Sequence, residues 1–118
     1  MSDESQLMRK YRKSNVNARL EIVSEIFSLF SLTEIACNDP NSRVRAKAIK
    51  RIFDLNGSME VDKFCRNSMW EARVVVARYC TDSVLQTLLE DKNPQVRLAV
   101  LDQLRKEGGR FHVNNITK

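Results

Sequence analysis

Three cysteines, one histidine and a recurring arginine are the residues of this 118-residue sequence whose chemistry is worth asking about first. Cys37, Cys65 and Cys80 are odd in number and far apart, whereas a disulfide framework is usually even and dense. No CxxC pair occurs and His112 stands by itself near the end of the sequence, so a zinc site lacks its donors. All three cysteines are therefore expected as reduced core residues, the role of a small hydrophobe. No Gly-rich phosphate loop and no nucleophile elbow is present, and no histidine supports a general base within the body of the chain. The residues point to a chain that is not an enzyme and that holds no metal or cofactor.

The arginines do recur. Arg19, Arg45, Arg73 and Arg97 are separated by 26, 28 and 24 residues. Six residues before the last three stand Asp39, Asn67 and Asp91, and in the first copy the same place holds Lys13. Apolar residues recur one before each arginine and three, four and seven after it, as in Val44, Ala48, Ile49 and Ile52. That stripe has the 3.6-residue period of a helix. Shorter helices are expected upstream, near 32–38, 59–66 and 83–90, and in the first copy the anchor helix is expected to run on through Leu29. Asn56-Gly57 supplies a helix stop, Pro94 suits a first helical turn, and Asp82 or Ser83 could cap the last short helix.

Each unit of this length fits two helices and a turn, too little to bury its own stripe, so neighbours must stack. A helical bundle with accidental periodicity is the alternative. The run from Leu88 to Leu101, with Asp91, Pro94, Val96 and Arg97, resembles the turn and second helix of a HEAT repeat, and Val76–Leu85 resembles the leucine-rich variant repeat. The resemblance implies an all-α fold, a short right-handed α-solenoid of about four two-helix repeats. It also implies that Asp39 and Asp91 cap second helices, while Arg45, Arg73 and Arg97 tie neighbouring repeats together. Asn67 for the acid, and Trp70-Glu71-Ala72 for the usual Pro-x-Val, depart from the pattern. The expected organisation is a basic arm or partial first repeat helix over 1–14, the repeat domain over 15–107, and a flexible tail over 108–118.

Function is then sought on surfaces. The net charge is +5. Along the outward positions of the second helices, two, five and six after each arginine, Lys47, Lys50, Arg51 and Arg78 surround Tyr79. Such a patch can neutralise phosphates while the ring stacks on a base. Glu21 and Glu25 lie in the same rows, so ion pairs with Lys47 and Arg51 are the competing expectation. Arg9, Lys10, Arg12 and Lys13 form a second basic cluster, either a phosphate-gripping arm or a solvated flank. Trp70, with Met69 beside it, is either a lid on the core or an anchor for a protein partner.

The preferred reading is a non-catalytic scaffold, an adaptor or regulator that binds another protein. The alternative is a nucleic-acid module that grips the phosphate backbone. DNA glycosylases built on HEAT-like repeats need an acid among aromatics over a basic cleft, which these residues do not recover. A homodimer remains open, because Phe27, Leu29 and Phe30 would make the first anchor helix apolar on more than one side. No apolar run reaches the about 18 residues that a membrane span needs, and the first residues lack the pattern of a secretory signal. A cytoplasmic, intracellular address is expected.

Overall fold

The computed structural model describes residues 2–106, with side chains from residue 4 onward. The expected tail, and His112 with it, lies outside the described residues. All regular structure among them is helical: α1 Ser2–Arg12, α2 Val16–Val23, α3 Leu29–Asn38, α4 Ser42–Asn56, α5 Ser58–Asp62, α6 Trp70–Tyr79, α7 Asp82–Leu88 and α8 Pro94–Lys106. The four arginine-bearing helices α2, α4, α6 and α8 pack in series; α3 and α7 each pack on the long helix that follows, and the short α5 packs on both α4 and α6. The radius of gyration is 15.6 Å, against about 13 Å for a compact 100-residue domain, so the packing is drawn out along one direction.

Helix starts follow from short polar side chains. Asn15, Ser28 and Asn41 accept hydrogen bonds from the first-turn amides of α2, α3 and α4, each supplying a partner for an otherwise orphaned donor. Pro94 opens α8, where its missing N–H leaves nothing unsatisfied. Gly57 ends α4 with φ +90°, a backbone that favours glycine, and its N–H returns to the Phe53 carbonyl.

The structure departs from expectation at several points. The helix of the first copy stops at Val23, because Ser28 caps a new helix and the chain must turn before it. Phe27 therefore sits in the connection while Leu29 and Phe30 open α3, so these residues do not share one helix. The second upstream helix, expected to reach Arg66, ends at Asp62 and gives way to turns. The N-cap of α7 is Thr81, not Asp82 or Ser83, and its N–H and hydroxyl both donate to the Asp62 carboxylate.

The core is one cluster through the stack, with Ile26, Leu32, Ile35, Ile49 and Ile52 among its largest fully buried side chains. Val75, expected on the outward row, is buried, while Leu101, expected inward, is half exposed. Cys65 and Cys80 are only partly buried, and Cys37, on the outer side of α3, is exposed. Burial, reinforced by the negative charge of Asp62, pushes the Cys80 thiol up to about 12, which suppresses its thiolate.

Candidate binding face

Lys47, Lys50, Arg51 and Asp54 share one face of α4 by their spacing of three, four and seven residues. Around them is a small cavity of about 110 Å³ that Ser24 also lines. Arg78 and Tyr79 come from the end of α6 and border a larger recess of about 350 Å³ with Phe53, Ser58 and Thr81. The Tyr79 ring lies 4.9 Å from that of Phe53, and the Lys50 ammonium sits 5.7 Å above the Tyr79 ring. The structure thus brings together four of the expected basic residues and the aromatic.

Their charges are not equally available. Lys50 Nζ donates to both carboxylate oxygens of Asp54, at 2.8 and 2.9 Å, and that bond holds its pKa above the ordinary value. Arg51 turns back: its Nε donates to the Ile26 carbonyl at 3.0 Å and its guanidinium lies 4.7 Å from the Phe27 ring centre. No ion pair joins Glu21 or Glu25 to Lys47 or Arg51 among the described residues. The acid in the patch is Asp54, one turn along the same helix, whose i, i+4 relation to Lys50 was legible in the sequence. Lys47 and Arg78 carry no ion pair among the described residues.

Met69 is the extended residue before α6 and Trp70 its first residue, and their side chains are 41% and 40% exposed. Trp70 is therefore neither a closed lid nor a free flag. Arg9, Lys10 and Arg12 lie in the last turn of α1 with Lys13 just beyond, all exposed. Lys10 borders a cavity of about 540 Å³ with Glu4, Gln6, Leu7, Glu25 and Phe27, where two carboxylates offset its charge. Phe27 is 70% exposed, and its ring lies between this cavity and Arg51. Phe27, Phe53 and Asp62 belong to the surface architecture and were not singled out from sequence as binding-face residues; Asp62 had no sequence signal, since its bond to Thr81 spans 19 residues and two helices.

The anchor arginines are joints. In all four, Nη1 donates to a carbonyl of the preceding loop: Arg19 to Ser14, Arg45 to Asp39, Arg73 to Asn67 and Arg97 to Asp91, at 2.6–2.9 Å. Two of them also close a two-toothed fork on the aspartate of the next loop. Arg19 Nε and Nη2 reach Asp39 at 2.9 and 3.2 Å, and Arg73 reaches Asp91 at 2.8 and 3.1 Å. The aspartates do not cap α4 and α8 directly. Asn41 and Asn93 bind those first-turn amides, while Asp39 and Asp91 accept the N–H of Asn41 and Asn93. Burial alone would raise the Asp39 carboxyl, but bonds from Arg19, Tyr11 and the Asn41 N–H hold it below its usual value. The Arg73 bond does the same for Asp91 against a smaller opposing burial effect. Burial and the adjacent Asp39 carboxylate push the Tyr11 phenol well above its ordinary range.

No helix among the described residues is long and apolar enough to cross a membrane, and no cluster of His, Cys, Asp and Glu among them has the makings of a metal site. Comparison of the chain with known protein families, with curated proteins and with solved structures returned no match.

Proposed function

We propose that the chain is a short HEAT-like α-solenoid that works as a non-catalytic, cytoplasmic adaptor or regulator by holding another protein. The observation that carries this reading is the division of the surface. Two of the four cations on the second-helix face, Lys50 and Arg51, are engaged by Asp54, the Ile26 carbonyl and aromatic rings, whereas Met69 and Trp70 keep about two fifths of their surface open. Partly exposed tryptophan in a fixed place is the kind of residue that dominates protein contacts. The internal recurrence of Arg19, Arg45, Arg73 and Arg97 with a serial helix packing supports the solenoid.

A nucleic-acid role is the second reading, supported by Lys47 and Arg78, which carry no ion pair among the described residues. Anisotropy titration with a labelled random duplex and a labelled single strand, at low and physiological salt, separates the two. The expected outcome is no submicromolar binding, followed by affinity capture in which Trp70→Ala loses a partner that the wild type retains. Tight, salt-sensitive binding that charge reversal at Lys47 and Arg78 abolishes would replace the protein-binding reading with the polyanion one.

A further inference from the structure

The last arginine of the series takes no acid among the described residues. Arg97 makes the same Nη1 bond to its loop carbonyl as the others, at 2.6 Å. The edge that Arg19 and Arg73 turn on Asp39 and Asp91 meets no hydrogen-bond partner among the described residues in Arg97. Beside it the apolar stripe is also open. Leu101 lies four residues after its arginine, and the corresponding residues Val23, Ile49 and Ala77 are 0%, 0% and 1% exposed. Leu101 is 50% exposed, and Leu98, one turn earlier on α8, is 57% exposed. Two independent features, one polar and one apolar, are thus uncovered side by side on α8, whereas α2 and α6 have both covered and α4, where Arg45 also lacks an acid, keeps its stripe buried.

We infer that the side of α8 formed by Arg97, Leu98 and Leu101 is an interaction surface for a partner protein's helix whose preceding loop carries a carboxylate. The filled junctions specify that partner. At both, an aspartate accepts the arginine fork side-on and also accepts an N–H two residues later in its own loop, so the acid is held rigidly. A side-on fork needs a planar, two-oxygen acceptor, which an amide or hydroxyl does not supply. Apolar residues on the partner helix cover Leu98 and Leu101. A second copy stacked head to tail is a poor occupant: the first copy carries Lys13 where the aspartate belongs, and that charge opposes Arg97. The surface is built from residues of α8, not from Trp70, and adds a partner chemistry to the protein-binding reading on which it rests.

The test appends a second copy of residues 82–106 after Lys118, which offers α8 a helix pair bearing its own Asp91 at high effective concentration. The tandem chain is expected to melt about 5 °C higher than the single chain. It should also shift the side-chain N–H signal of Arg97 and the methyl signals of Leu98 and Leu101. Asp→Asn at position 91 of the appended copy should remove most of both effects, and so should Arg97→Gln in the body of the chain. If the appended copy perturbs folding, a synthetic peptide of residues 82–106 titrated into the unaltered chain reports the same methyl shifts. An unchanged Arg97 signal in the tandem and no shift with peptide up to about 1 mM, an affinity limit near 4 kcal/mol, would overturn the inference. Mass doubling in light scattering that Leu101→Glu abolishes would assign the surface to a second copy. Methyl shifts in the single chain on Phe111→Ala would assign it to the chain's own last residues. Either result also overturns the partner. Trp70→Ala in the tandem should leave its difference from the Asn variant intact, so this surface and the Trp70 reading fail separately.

Discussion

Arg19 and Arg73 each close a fork on an aspartate, Asp39 and Asp91, whereas Arg45, at the same place in the unit between them, holds only the Asp39 carbonyl. Arg45 is 5% exposed and its Nε is buried with no partner. The sequence differs between these joints at the acid slot. The slot that holds aspartate in the second and fourth units holds Asn67 in the third. Its side-chain oxygen still accepts the N–H two residues on, at Met69, but an amide cannot offer Arg45 two equivalent oxygens. The outer joints are clamped by ion pairs, whereas no ion pair crosses the middle joint among the described residues. The contrast shows how little of a joint's strength comes from the arginine itself, since an arginine without its acid leaves a buried donor unsatisfied.

The largest break in that contrast is expected at the clamped joints. Asp39 is fully buried and serves Arg19, Tyr11 and the Asn41 N–H together. Asp39→Asn should cost about 3 kcal/mol in denaturant unfolding, because it takes the charged acceptor from the partly buried Arg19 guanidinium and from the Tyr11 hydroxyl at once. Asp91→Asn, which strands Arg73 but no phenol, should cost less. Equal losses at the two sites would show that Tyr11 contributes nothing.

Acid should dissolve the same contrast. Both aspartates bind protons more weakly folded than unfolded, so their stabilisation is complete above the ordinary aspartate range near about 4 and is lost as pH falls through the lower folded values. Tyr11→Phe removes one of the bonds that keep Asp39 low. The midpoint of acid unfolding should then move to higher pH, and an unmoved midpoint would remove Tyr11 from the joint.

Asn67→Asp should sharpen the comparison from the other side. Supplying the missing carboxylate to Arg45 is expected to stabilise the chain by about 1 kcal/mol at neutral pH. A loss of stability would mean that residue 67 does not face Arg45. The smallest effect is expected on the basic face. Lys50→Gln breaks a half-exposed bond to Asp54 and should change stability by less than about 1 kcal/mol, with salt erasing the difference.

Much of this was legible in residue order. The helical stripe, the arginine spacing and the turn residues each have a local cause, and they located α4, α6 and α8 to within a few residues. The first copy misled because Ser24–Leu29 fits a helical stripe equally well, and only the cap that Ser28 gives to α3 decides against it. The three cysteines misled in a similar way. Cys37 and Cys65 hold equivalent places in the sequence pattern, but α3 runs to Asn38 while α5 stops at Asp62, so the two side chains face different surroundings.

The candidate face was legible as a set of residues and not as a set of charges. Spacing placed Lys47, Lys50 and Arg51 together on one side of a helix. It could not say that Arg51 would fold back onto the Ile26 carbonyl and Phe27, since that contact crosses 25 residues and depends on where α2 breaks. Trp70 was placed at a helix start correctly, yet its degree of exposure is a property of its neighbours.

The sequence by itself determined which arginines recur, which loops carry an acid and that the third loop carries an amide, because these follow from residue type and period. Only the tertiary structure decided which acid each arginine takes. Asp39 stands in the loop before Arg45 and was assigned to its own unit, yet its carboxylate belongs to Arg19, twenty residues earlier. Loop lengths differ between units, so the partner's distance along the chain differs too. Packing of successive helices brings the fork and the carboxylate together, and a one-dimensional pattern carries no record of that approach.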